Sequence, residues 1–341
     1  MKTMIEKVAQ GKNLTEAEAK SAMGIMLNGE ATQAQIGSFL TALRMKGETT
    51  DELTGFASVL KDKADTITPK CGNYVDFVGT GGDRTFTFNI STTGAFVAAG
   101  AGAHIAKHGN RSISSKSGAG DVLEALGVNI MAEPRLVEKC VDEVGIGFMF
   151  AQSFNKSMRF VGQARNEMGI RTVFNILGPL ANPSRAKGML VGVYSPEITE
   201  KIAVVMSRLG VERAFVVSGK DHMDEITTTG ATVISEIKDG NVTTYEVTPE
   251  EFGLKRTALD DLRGGDGAEN AKIAKRILTG EKGPKRDIVL LNAGAALYIA
   301  RLADSVKEGI LMAEESIDSG NAMRVLQELE EMSNAKLAMC G

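Results

Sequence analysis

Only three of the 341 residues are cysteine, and Cys71, Cys140 and Cys340 lie too far apart to make a CxxC pair. An odd number of scattered thiols excludes a disulfide framework and a thiolate zinc site. No apolar run reaches the ~20 residues that a bilayer span requires; the longest, such as 288–300, stop short of it. The opening residues, 1–13, are charged and lack the apolar core of a secretion signal. Excess positive charge is missing too, since 39 Lys and Arg against 43 Asp and Glu leave a net charge of -4. There is thus no general pull toward nucleic acid or anionic membrane, and any anion site must be local. These absences lead to the expectation of a reduced, cytoplasmic chain without nucleic-acid or membrane partners. Internal repeats and low-complexity tracts are absent as well.

What is present suffices for a large core, in a chain long enough for two domains. Residues 1–65 read as three or four short helices. Thr15 with Glu18, Thr32 with Gln35 and Thr49 with Glu52 each have capping-box spacing, and Ile36, Phe39, Leu40 and Leu43 follow a helical period. Pro69, Cys71, Gly72 and Asn73 break that pattern and mark a boundary. Beyond it, short β-branched runs alternate with helices, which predicts an α/β fold with a mainly parallel sheet. Strands are expected at 74–78, 104–106, 147–150, 187–193, 213–218 and 287–291. Helices are expected at 91–100, 120–126, 134–144, 157–168, 197–209 and 268–278, with more from 293 to 335. Two alternating runs flank Asp239-Gly240, a hairpin signal.

Chemistry concentrates between residues 75 and 127, where three anion-holding devices occur. The turn Gly79-Thr80-Gly81-Gly82-Asp83 follows a strand; glycines there free the backbone to take positive φ and gather its N–H groups. The pattern is neither GxGxxG nor a P-loop, and alone it reads equally as a tight turn. Asn89-Ile90-Ser91-Thr92 opens a helix of small residues, whose first N–H groups and dipole favour phosphate, although plain capping explains the same residues. Lys107-His108-Gly109-Asn110-Arg111-Ser112-Ile113-Ser114-Ser115 interleaves cations, amides and hydroxyls more densely than a solvated basic loop would. Downstream, Asp224-Glu225 follows the strand 213–218, a placement that suits magnesium shared with phosphates or, more blandly, an acidic turn. Arg165, Arg171 and a rigid Gly178-Pro179/Asn182-Pro183 loop complete the set, with arginine suited to a carboxylate.

In this order, the motifs GTGGD, NIST, KHGNRSISS, the arginine-GIRT-FN-LGPL-NP stretch and DE resemble those of the anthranilate phosphoribosyltransferase family, over nearly the whole chain. The resemblance implies a nucleoside phosphorylase/phosphoribosyltransferase-like fold. A small helical domain, 1–70, would be joined in space by a helical insertion near 165–185, and 71–341 would form the larger α/β domain. It implies a homodimer, two Mg²⁺ ions, and phosphoribosyl transfer from 5-phosphoribosyl 1-pyrophosphate to the amine of anthranilate. The donor would be held by Gly79, Gly82, Asp83, Thr87, Asn89, Ile90, Ser91, Thr92, the run from Lys107 to Ser115, and Ala119. The acceptor would meet Gly79, His108, Asn110, Asn155, Arg165, Gly178 and Pro179, with Arg165 on its carboxylate. Ser91 and Glu225 would hold one metal ion, and Asp224 with Glu225 the other. Two positions depart from the family pattern: Asn155 stands where a histidine is common, and Ala119 where a serine is common. A related enzyme with another aromatic acceptor, or a phosphorylase, would share this architecture, and Asn155 favours it. A non-catalytic nucleic-acid binder would need a basic surface and a decayed acidic pair, neither of which the chain has.

Overall fold

The computed structural model describes residues 1–83, 85–112 and 116–335. Ile113, Ser114, Ser115 and Cys340 therefore lie outside the described residues.

Four helices open the chain: α1 (Lys2–Ala9), α2 (Glu16–Leu27), α3 (Gln33–Lys46) and α4 (Thr50–Lys63). All three expected capping boxes form, with the Thr15, Thr32 and Thr49 hydroxyls accepting from the Glu18, Gln35 and Glu52 N–H groups. Each such cap is worth about 1 kcal/mol. Glu52 does more than cap. It is fully buried, accepting from the Leu14 N–H at 2.8 Å and from Lys46 Nζ at 2.9 Å, which ties α4 to the start of α2.

Strands and helices then alternate: β1 (Val75–Gly79), α5 (Ile90–Gly100), β2 (Ile105–Gly109), α6 (Ala119–Ala125), α7 (Pro134–Glu143) and β3 (Ile146–Phe150). Next come α8 (Ala151–Phe154), α9 (Arg159–Met168), α10 (Phe174–Leu180), β4 (Gly188–Gly192), α11 (Thr199–Arg208) and β5 (Arg213–Gly219). A hairpin of β6 (Thr232–Lys238) and β7 (Asn241–Val247) precedes α12 (Gly267–Leu278), α13 (Pro284–Ile299), α14 (Val306–Asp318) and α15 (Asn321–Ser333). The sheet order is β3-β2-β1-β4-β5-β6-β7, with the first five strands parallel and the last two antiparallel. The hairpin turns at Asp239 and Gly240, both at positive φ as a two-residue primed turn requires.

Alternate residues of each strand feed opposite faces. Phe77, Leu190, Phe215 and Val217 join a core with α5 and α12–α15, while Val78, Met189, Val191, Ala214 and Val216 join one with α1–α4 and α9–α11. Gly94 lets α5 lie close on β1, for a Cβ there would sit 2.9 Å from the Phe77 ring. On the other side, α9 and α10 pack among the opening helices. The Gln33 side chain accepts from the Ala164 N–H at 3.0 Å and donates to the Phe160 carbonyl at 3.2 Å.

Three expectations need correction. Residues 287–291 are not a strand but part of α13, which begins at Pro284 and is buried on every side from Ile288 to Ile299. An element apolar all round has no period by which helix and strand can be told apart. The strand expected at 104–106 runs from Ile105 to Gly109, so Lys107 and His108 are strand residues rather than part of a loop. The Gly-Pro segment is likewise a short helix, α10, with Pro179 in its last turn.

Candidate active site

Chain order reverses at β1, since the chain runs outward through β2 and β3 on one side and then returns to add β4 and β5 on the other. Ligands in open α/β sheets sit beyond the carboxyl ends of strands at such a switch point. A cleft of about 670 Å³ opens there, lined by the turn after β1, the start of α5, the end of β2, α9, α10 and the Asp224-Glu225 loop.

Backbone approach explains the glycines. Gly81 and Gly82 adopt φ of +65° and +74°, as a gathered turn requires, and the Gly81 N–H donates to Asp224 Oδ2 at 2.7 Å. A Cβ on Gly79 would lie 2.5 Å from the same oxygen, and one on Gly192, at the end of β4, only 1.6 Å from the Asp224 main-chain oxygen. The acidic loop therefore folds down over the ends of β1 and β4, and nothing larger than hydrogen fits beneath it. Gly192→Ala is expected to cost roughly 1–3 kcal/mol or more by overpacking and to displace the carboxylates; thermal unfolding together with donor titration measures both.

Asp224 and Glu225 are half-buried at the cleft floor. Burial pushes Asp224 up to about 7, with neighbouring Asp83 adding to the rise. Glu225 is raised well above the usual carboxylate range, by burial first and Asp224 second. Its Oε1 accepts from the Ser91 N–H at 3.2 Å, so a carboxyl oxygen already occupies the first turn of α5. Lys107, 2% exposed, donates to the Phe77 carbonyl and lies 3.5 Å from Ser91 Oγ. Desolvation lowers its pKa, opposed by Asp76 and Glu225.

These shifts carry a sign. An unfolded aspartate titrates near ~3.9, whereas native Asp224 does so near about 7. Its contribution to stability is therefore complete below about 4 and is lost as pH climbs through about 7. Without metal or donor, Asp224→Asn should melt roughly 5 °C or more above the parent at pH 8, with the gap closing toward pH 4. Melting curves across that range check this.

At the other end of the cleft, the Arg165 guanidinium stacks 5.1 Å from the Phe174 ring centroid and has no carboxylate partner among the described residues. Burial alone lowers its pKa. A half-buried, unpaired cation facing a cleft is a place for an anion. His108 is held neutral, pushed down to about 4 by burial. Its neighbour Asn155 places Nδ2 3.3 Å from the ring Nε2.

Of the residues expected from sequence, the cleft brings together Gly79, Gly82, Asp83, Thr87, Asn89, Ile90, Ser91, Lys107, His108, Gly109, Asn110, Arg111, Ser112 and Ala119. Asn155, Arg165, Gly178, Pro179, Asp224 and Glu225 line it too. Thr92 does not, because its side chain turns into the core at 1% exposure. Arg111 lines the cleft, but its guanidinium is engaged by Asp121 at 3.2 Å and Glu124 at 2.8 Å. Asn89 is similarly occupied, accepting from Ser117 Oγ at 3.0 Å and Asn270 Nδ2 at 2.8 Å.

Sequence reasoning missed several parts. Arg263-Gly264-Gly265 forms one wall, with the Gly264 N–H donating to the Phe86 carbonyl at 3.0 Å. Asp76, fully buried under the site on β1, accepts from the His108 N–H at 3.1 Å, and burial pushes it up to about 6. Asn182 Nδ2 donates to the Ala106 carbonyl at 3.0 Å and fixes the loop after α10 to the sheet. Arg171, placed in the site's vicinity by sequence without a role, bonds to the Gly82 carbonyl and stacks on Tyr194. Arg44 of α3 in turn donates to the Arg171 carbonyl at 2.6 Å.

Residues 2–64 match the helical bundle domain of a glycosyl transferase family, and residues 71–323 match that family's a/b domain. The chain is 55% identical over 335 residues to an anthranilate phosphoribosyltransferase of Acetivibrio thermocellus, covering 98% of this chain and 97% of the relative. It superposes on the anthranilate phosphoribosyltransferase of Thermus thermophilus with a TM-score of 0.92, at 41% identity over 97% of this chain and 99% of that one. The Saccharomyces cerevisiae enzyme in complex with PRPP and Mg gives 0.90 at 31% identity, over 97% of each chain.

Proposed function

Because the chain belongs to the anthranilate phosphoribosyltransferase family of glycosyl transferases, we propose that its switch-point cleft binds the donor over the Asp224-Glu225 floor and the acceptor beside Arg165. The enzyme transfers the phosphoribosyl group of 5-phosphoribosyl 1-pyrophosphate to the amine of anthranilate, releasing pyrophosphate, in tryptophan biosynthesis. One observation carries the placement: a single cleft has a half-buried, desolvated carboxylate pair and a helix N-terminus at one end, and an unpaired arginine at the other.

The donor set suits Mg²⁺. Asp224, Glu225 and the Ser91 hydroxyl offer oxygen only, and desolvation raises both carboxylates, a cost that a bound cation would offset. Among the described residues no group of three or more His, Cys, Asp or Glu forms a complete cage, which fits an ion sharing its remaining ligands with a diphosphate. Two ions, one by Ser91 and Glu225 and one by Asp224 and Glu225, belong to this reading. When bound, magnesium neutralises charge developing on the departing diphosphate.

The chain's own residues do the rest. Breaking the C1–oxygen bond leaves positive charge on the ribose and negative charge on the leaving group. The N–H groups of Ser91 and Gly81 fix the two carboxylates in place, and Lys107 beneath them, 3.5 Å from Ser91 Oγ, is a fixed charge on the side where the negative charge develops. No covalent nucleophile is needed. Anthranilate's amine is already neutral near pH 7, so no strong base is needed either, and neutral His108 is consistent with that. Arg165 and Asn110 hold the amine against C1.

Residues 1–70 and 165–185 acting as one helical body against 71–341 is part of the same reading, supported by the shared core of α1–α4 with α9 and α10. A homodimer and a cytoplasmic location rest on the family relationship. The deciding experiment follows anthranilate fluorescence with donor and magnesium, omitting each in turn. Loss of signal only in the complete mixture is expected; no loss in that mixture rejects the proposal.

A further inference from the structure

Asp224 and Glu225 stand between two residues whose backbone groups are both fixed. Ahead of them is Met223, fully buried, whose N–H donates to Asp221 Oδ1 at 3.1 Å and whose carbonyl accepts from the Gly219 N–H at 2.8 Å. Behind them is Ile226, whose N–H and carbonyl are both taken by the Asn292 side chain of α13, each at 2.9 Å. Asn292 is itself fully buried and is steadied by a further bond to the Ile288 carbonyl at 2.9 Å. The far side of the pair is thus anchored to a helix. The near side depends on a loop, and there Asp221 reaches across the pair. Its Oδ2 accepts from the Thr227 hydroxyl at 3.2 Å and from the Thr229 hydroxyl. Its Oδ1 lies so close over the main chain that a Cβ on Gly219 would be 2.1 Å away. His222, next in the chain, is held at φ of +68°, a conformation that a residue other than glycine keeps only when its surroundings impose it.

Asp221 does not line the cleft, and its carboxylate is met by a backbone N–H and two hydroxyls of its own loop. We infer that Asp221 is a positioning residue for the cation site: by tying Met223 to Thr227 and Thr229, it sets where Asp224 and Glu225 present their oxygens to a divalent ion. The inference rests on the metal placement proposed above. Groups behind a metal's ligands fix the orientation of those ligands, and losing one lowers metal affinity by about 10- to 100-fold. The role is one of shape rather than charge. Asparagine at 221 would keep an oxygen for the Met223 N–H and turn its amide toward two hydroxyls that can rotate to accept. Alanine there keeps none of the three bonds.

The test is calorimetric titration of the intact protein with 5-phosphoribosyl 1-pyrophosphate, with and without Mg²⁺, so that no turnover is needed. The unmodified protein should bind the donor more tightly with magnesium than without it. In Asp221→Ala the donor Kd with magnesium should rise about 10- to 100-fold, while the magnesium-free Kd moves less than about twofold. Asp221→Asn should stay within about threefold of the parent in both. A lower melting temperature in Asp221→Ala with the magnesium effect intact overturns the role, since the bonds would then serve only the fold. An Asp221→Asn protein that binds as weakly as Asp221→Ala overturns it too, since charge would then be what matters. Should Asp221→Ala not fold, Thr229→Val removes one of the three bonds from a half-buried side chain. It should raise the magnesium-bound donor Kd about threefold or more, and no rise overturns the role. Equal donor binding by the unmodified protein with and without magnesium removes the metal placement itself, whereas a magnesium effect that survives in Asp221→Ala removes only Asp221.

Discussion

Replacing Asp224 with asparagine and Glu225 with glutamine is expected to abolish turnover at every anthranilate concentration while leaving the fold intact. Both changes keep the shape and one oxygen of each side chain, so the Gly81 N–H and the Ser91 N–H retain an acceptor. What disappears is the paired negative charge on which a divalent ion bridges to the diphosphate. Losing a fixed electrostatic contact to developing charge costs about 10²–10³-fold in rate. Losing a cation that acts on the whole leaving group should exceed ~10³-fold. Fluorescence assays at saturating acceptor and magnesium measure it, and near-normal rates would discard the metal assignment. The same protein should be no less heat-stable than the parent at pH 8, because two desolvated carboxylates have been removed. A variant that is dead and unfolded would mean that the pair is structural.

The second large effect belongs to Arg165. Arg165→Ala should raise the anthranilate KM by about 10²-fold, the scale of a charge-assisted, partly desolvated contact, and move the donor KM by about twofold or less. Arg165→Lys should recover only part of the loss, since a point charge cannot present the planar fork that meets both carboxylate oxygens. Steady-state kinetics with each substrate varied in turn separates the two constants. Equal rises in both would refute an acceptor role.

Much of this site was legible because its signals are local. A capping box is three residues long, a primed hairpin turn two, and the glycine turn at Gly81-Gly82 declares its positive φ by composition. Each of those motifs can be read without knowing what it packs against. The parts that were not legible are pairings across the chain. Gly192 is required because the main chain of Asp224 crosses it, 32 residues on, and no sequence window contains both. Asp76 reads as a polar interruption in a strand until β2 brings His108 against it. Arg263-Gly264-Gly265 becomes a wall of the cleft only through contact with Phe86 and Thr87, far upstream. The misplaced strand at 287–291 failed for another reason: when every side of an element is buried, hydrophobicity carries no directional information. Arg111 looked like a free cation because Glu124, its strongest partner, lies on a helix thirteen residues later.

The interleaving of α9 and α10 with the opening helices also has a consequence for synthesis. They share a core with Ile36, Phe39 and Leu43 of α3, and they begin more than ninety residues after α4 ends. At about 5–20 residues per second, a ribosome leaves that apolar surface exposed for roughly five to twenty seconds on each nascent chain. Mutations that weaken the early helices should therefore reduce yield in the cell more than they reduce the melting temperature of whatever protein is recovered.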